Sequence, residues 1–180
     1  MRIDLFDKFA GVLNKANRTR ETRRQETIST IKSTEPQQRA RARVFSSVNI
    51  LVPDTSFTTL AFDQVDFDNI GLHTSSTKFT IPSTGRVTGL WLVHGRIFWV
   101  GTLATGTFRV LNLMKNTSTV LASDAKSCVS PDQCTNDVLR YINDPQPGDS
   151  YELQALQASG GNLNIIHEDW ETYFEIIQIW

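Results

Sequence analysis

From Val87 to Trp99 the chain alternates. Val87, Gly89, Trp91, Val93, Gly95, Ile97 and Trp99 fall on one face, and Thr88, Leu90, Leu92, His94, Arg96 and Phe98 on the other. A period of two, rich in β-branched and aromatic side chains and entered through Pro82-Ser83-Thr84-Gly85, predicts one long strand rather than a helix. Both faces carry bulk, which predicts a central strand covered on both sides. Gly89 and Gly95, on the tryptophan face, predict bulges or room for facing aromatics.

Short runs of the same kind recur through the C-terminal three quarters of the chain, at 44–52, 57–62, 77–81, 107–114, 119–123, 137–142, 150–157, 163–167 and 173–180. Turn signals separate them: Pro53-Asp54, Lys115-Asn116-Thr117, Pro131-Asp132, Asp144-Pro145 through Gly148-Asp149, and Ser159-Gly160-Gly161-Asn162. Eight to ten strands without an intervening helix predict an all-β antiparallel sandwich. In the run from Ser150, Tyr151, Leu153 and Ala155 oppose Glu152 and Gln154, so one face is buried and the other is mostly polar. A tryptophan at position 180 calls for packing in the core or against another copy of the chain.

The first 45 residues follow a different period. Leu5, Phe9, Val12 and Ala16, with Phe6, Ala10 and Leu13 beside them, predict a short amphipathic helix from about Asp4 to Ala16. Such a helix is marginal alone and needs a surface to cover its apolar stripe. Beyond it the chain is polar and basic, with Arg20, Arg23 and Arg24 prominent, and Pro36 breaks the pattern before the strands begin. The expected organisation is an N-terminal helical or extended arm, 1–45, and a sandwich domain, 46–180.

Charge sharpens this division. Residues 1–45 hold 11 Lys and Arg against 5 Asp and Glu, and the remaining residues hold 7 against 14, so a net charge of −1 conceals +6 on the arm and −7 on the domain. A basic arm fits a solvated linker, docking on an acidic protein surface or contact with nucleic acid. No aromatic is interleaved with the arginines to stack on bases, which disfavours the last. Leu5, Phe6, Phe9, Val12, Leu13, Arg20, Arg23 and Arg24 are the candidate partner-docking residues. No apolar run approaches the roughly 20 residues of a membrane span. Asp4, Asp7 and Lys8 interrupt what would have to be the apolar core of a signal peptide, so none is expected.

Candidate chemistry is sparse. Asp63, Asp66, Asp68 and Asn69 offer closely spaced oxygen ligands but lack the glycine and terminal glutamate of a calcium loop, and read as a solvated loop. His167-Glu168-Asp169 alternate in direction and do not converge on one metal. His73 and His94 stand near neither Cys128 nor Cys134 in sequence. No nucleophile elbow, zinc helix or phosphate loop occurs, so no catalytic, cofactor or metal residue is assigned. Cys128 and Cys134 leave a loop disulfide and two free thiols both open, with free thiols favoured for a protein maturing in a reducing cytoplasm.

Several of these residues also form a pattern. Phe67-Asp68, Gly71-Leu72-His73, Phe79, Ile81-Pro82, Gly85, the long aromatic strand, Gly106, Pro147-Gly148-Asp149 and Phe174 resemble the jelly-roll domain of the tumour-necrosis-factor and complement globular-head superfamily, in the version found in bacteriophage structural proteins. The resemblance covers about 60–180. The chain departs from it at 116–117, where Asn-Thr replaces the usual Asn-Gly and puts the tightness of that turn in doubt. The resemblance implies a homotrimer, with Trp91, Trp99, Phe174 and Trp180 as interface candidates. The function it implies is that of a non-enzymatic virion structural protein of a tailed phage. Made in the host cytoplasm, such a protein would form a surface decoration or fibre knob held by its arm to a capsid or tail protein, the capsid being favoured. Two alternatives stand beside it. One is a module gripping a host-surface glycan through Trp170 and Tyr173; the other is a secreted ligand of the same superfamily, which the missing signal peptide disfavours.

Overall fold

The computed structural model describes residues 39–84, 88–100, 107–128, 134–168 and 170–180. The predicted arm helix and all eight arm docking candidates lie outside them, as do Gly85 and Gly106. The compact unit runs from Arg39 to Trp180. The boundary expected at 45/46 therefore moves N-terminally. Residues 41–45 do not belong to a linker: Ala42 and Val44 are fully buried in the core.

Among the described residues there are thirteen strands: β1 (Arg41–Phe45), β2 (Ile50–Val52), β3 (Thr58–Thr59), β4 (Gln64–Asp68), β5 (His73–Ser75), β6 (Lys78–Thr80), β7 (Leu90–Val100), β8 (Thr107–Lys115), β9 (Thr119–Cys128), β10 (Cys134–Asn143), β11 (Ser150–Ala158), β12 (Leu163–Ile165) and β13 (Tyr173–Gln178). They form two antiparallel sheets. The larger runs β2-β12-β7-β13-β1-β4, with β10 on the other edge of β7; the smaller runs β5-β6-β11-β8-β9, with β3 also on β11. Apart from the hairpins β5–β6 and β8–β9, the pairings join strands distant in sequence, as two packed jelly-roll sheets require.

β7 is the long strand the alternation predicts, and it is central. Leu90 to Trp99 pair with β10 on one side. On the other side Trp91 to Arg96 pair with β13, and Trp99 and Val100 with β12. Its tryptophan face points inward, with Trp91, Val93, Ile97 and Trp99 fully buried. They meet Tyr151, Leu153 and Ala155 of β11 and Leu111 and Leu113 of β8 in one continuous core. Phe174 stacks within it, its ring 4.5 Å from Phe79 and 6.0 Å from Phe62. Each such large side chain contributes roughly 1.5–3 kcal/mol of transfer free energy.

The two glycines of this face do different work from that expected. Gly95 makes room for an aliphatic side chain, Leu153, rather than an aromatic. Gly89 has φ +104°, and a Cβ there would collide with the Trp180 carbonyl; the Leu90 amide donates to that carbonyl at 3.1 Å. The 116–117 turn stays tight despite lacking glycine. Asn116 and Thr117 both take positive φ, 51° and 60°, and the Ser118 amide donates to Lys115 O at 3.3 Å, which makes a type I′ hairpin turn.

Two further expectations change. The acidic run read as a solvated loop is edge strand β4, paired with β1; acidic residues on an edge discourage further strand addition, which is why the run looks unlike a strand. Cys128 and Cys134 form a disulfide rather than free thiols. Cys128 ends β9, in the smaller sheet, and Cys134 begins β10, in the larger, so the bond ties the sheets at one edge.

Candidate interaction face of the larger sheet

Inward and outward positions alternate on every strand of the larger sheet. In β7 the outward set is Leu90, Leu92, His94, Arg96 and Phe98, all half-buried. Register then builds rows across the sheet. Leu92 lies between Tyr141 of β10 and Ile177 of β13, and Ile177 is followed by Arg41 of β1. The next row runs Leu139, His94, Glu175, Arg43, and the one after it Asp137, Arg96, Tyr173, Phe45.

The first row is apolar from Tyr141 to Ile177 before it ends at Arg41, and Leu90 and Ile179 extend the apolar part. Leu139 and Tyr141 are 50% and 56% exposed, and Trp180 at the rim is 73% exposed. The third row is ionic: Asp137 Oδ1 stands 3.6 Å from His94 Nε2 and 3.8 Å from Arg96 Nε. Tyr173 joins the rows. Its hydroxyl is 3.3 Å from His94 Nδ1, its ring meets the imidazole edge-on at 5.2 Å, and the Arg43 guanidinium lies 4.3 Å above it. Burial raises the Tyr173 pKa, with Arg96 and Arg43 opposing, so the phenol stays neutral. The result is a face apolar at one end and charge-paired at the other, and such faces mark protein contact sites.

Three of the four residues named from sequence as interface candidates are elsewhere. Trp91 and Trp99 are fully buried and Phe174 is 1% exposed, inside the sandwich, so a single chain already uses their surface. Only Trp180 reaches the rim. The residues that face outward are Leu92, Leu139, Tyr141 and Ile177; tryptophan content alone does not report the direction in which a strand residue points. The available signal was the company kept: His94 and Arg96 share the Leu92 face, whereas the glycines share the Trp face.

The other candidates also find places. Asp68 accepts from the amides of Gly71, Leu72 and His73, each at 2.9 Å, and Asp63 bonds Ser47; these carboxylates organise backbone and do not converge. His167 uses its amide and ring Nδ1 on Asn49 Oδ1. Among the described residues no group of three or more His, Cys, Asp or Glu could hold a metal. Trp170 is 63% exposed, and Tyr173 is half-buried on the outward face of the larger sheet.

No protein-family model and no curated protein matches the chain. Solved structures do. Murine APRIL aligns with TM-score 0.57 and 12% identity, over 79% of this chain and 100% of that one. Eiger TNF from S. frugiperda gives 0.54 and 13%, over 80% and 94%. The globular domain of zebrafish complement 1qA gives 0.55 and 12%, over 78% and 98%. The fold is thus a jelly roll of the tumour-necrosis-factor and complement globular-head kind. These likenesses concern the fold, at identities too low to carry a function.

Proposed function

We propose that the chain is a non-enzymatic structural protein of a phage virion surface. Three copies of its jelly roll pack through the outward face of the larger sheet, and its basic N-terminal arm fastens the trimer to an acidic capsid or tail protein. The observation that carries the self-association is the row Tyr141, Leu92, Ile177 with Leu139 beside it, an apolar strip set next to paired charges. Leaving such a strip wet costs about 25 cal/mol per Å², and the ionic row gives a second copy a register to match. The opposed charges of arm and domain support attachment through the arm, since the bases steer to an acidic surface that repels the knob.

In solution the protein should have three times the 20.3 kDa mass of the chain. Leu139→Glu with Tyr141→Glu should give a folded monomer. Removal of residues 1–35 should leave the trimer and abolish incorporation into particles. A wild-type monomer at micromolar concentration would refute the trimer, and normal loading of the truncated protein would refute the arm as anchor.

One observation favours a second reading. The Cys128–Cys134 disulfide suits a protein that matures in an oxidising compartment, as a secreted ligand of this fold would. Thiol titration of protein taken from its native source separates the two: two free thiols support maturation in a reducing cytoplasm, and none supports secretion.

A further inference from the structure

One end of the sandwich interior is polar. Trp99 Nε1 donates to Asn136 Oδ1 at 2.8 Å, and Asn136 Nδ2 donates to the Asp124 carbonyl at 3.0 Å and to its carboxylate at 3.1 Å. That carboxylate also takes Lys126 Nζ at 2.9 Å and the Asp137 amide at 3.0 Å. Every one of these groups is matched.

Arg109 is the exception. It projects inward from β8 between Gln157 of β11 and Lys126 of β9 and is 1% exposed, yet Nε, Nη1 and Nη2 all lack a hydrogen-bond partner. Its guanidinium lies 5.5 Å from the Trp99 ring. Burial pushes its pKa down to about 10, so it is charged at neutral pH. A cation–π contact offsets only part of the cost of burying an unpaired ion. Gln157, its cross-strand neighbour, is fully buried. Its Nε2 donates to Val52 O at 3.2 Å and to Gly161 O at 2.6 Å, but Oε1 has no partner. Five guanidinium N–H donors therefore stand one strand away from a single unused acceptor. The imbalance calls for a ligand that only accepts and carries a single negative charge.

We infer that Arg109 holds a small monovalent anion, of the size of chloride, between the two sheets against Trp99. The site is independent of the outward face of the larger sheet. It replaces an uncompensated charge with a buried pair, and it makes the stability of the jelly roll depend on the anion.

The test is thermal unfolding of the full chain at constant ionic strength in sodium chloride and in sodium gluconate, whose anion is too large for the interior. Chloride should raise the midpoint by about 5 °C, as a ligand of the native state does. Arg109→Met, of similar length and without charge, should lose that dependence. Crystals of the wild type soaked in bromide should show an anomalous peak beside the guanidinium. Equal wild-type midpoints in the two salts, the same chloride response in Arg109→Met, or water alone beside Arg109 in the bromide crystals would each overturn the assignment. The bromide result stands even if the variant fails to fold.

Discussion

Gly95 of β7 and Leu153 of β11 meet across the sandwich so closely that a Cβ on the glycine would stand 2.6 Å from both leucine δ-carbons. Glycine is required here by the facing side chain and not by backbone torsion. Gly95→Ala should cost about 1–3 kcal/mol through overpacking, and Leu153→Ala about 2–5 kcal/mol through the cavity it leaves. Because the new methyl occupies part of that cavity, the double variant should be more stable than the sum of the single losses predicts. A double-mutant cycle by denaturant unfolding measures the coupling, and strict additivity would contradict the packing described.

Thr117 sits at φ 60° in the β8–β9 turn, where a β-branched residue is strained. Thr117→Gly should stabilise the protein by about 1 kcal/mol, read as a higher denaturant midpoint with unchanged slope.

Asp68 gathers the amides of Gly71, Leu72 and His73 at the end of β4. Asp68→Ala should destabilise by about 2–3 kcal/mol, since charge-assisted bonds to backbone are lost together. Asp68→Asn should recover part of this, its carbonyl still accepting. Hydrogen exchange should show the loss concentrated at residues 70–73.

Stability should fall in two steps on acidification. Burial lowers the His73 pKa, with Asp68 and the Phe62 backbone only partly opposing. The unfolded chain therefore takes up this proton first, and stability present above about pH 6.5, the ordinary histidine value, declines as pH falls below it. For Asp149, burial acts upward, but Lys115 at 2.7 Å, the Gln146 amide and Asn116 together bring the pKa below its ordinary value. For Asp124, burial is likewise outweighed by Lys126, the Asp137 amide and Asn136. Their stabilisation is complete above about pH 4 and is lost as pH falls through the depressed values. Unfolding midpoints from pH 8 to pH 3 should show both steps; His73→Gln should remove the first and Asp149→Asn should shrink the second.

The sequence makes the strands legible wherever one face is apolar and the other is not. β7, β8, β11 and β13 announce themselves through Trp91, Leu111, Leu153 and Phe174. β4 is hidden because an edge strand that must resist pairing is written with aspartates. β5 is hidden because His73 to Ser75 form only three residues of polar strand. The outward face is half legible: alternation sorts Leu92 and Phe98 from Trp91 and Trp99, but a strand bulky on both faces does not say which side meets its own second sheet. That depends on β11 and β8, remote in sequence, and on Leu153 needing the space above Gly95. The orphaned charge of Arg109 was invisible, because an arginine on an alternating strand reads as solvent-facing until its neighbours are placed.

β1 enters the larger sheet as an interior strand, with five residues in register with β13 and four with β4. A pull on the chain ahead of Arg39 therefore runs along a strand gripped from both sides, and its ladder bonds must shear together instead of peeling one by one. Under the proposed attachment, load would enter the domain through this doubly paired strand.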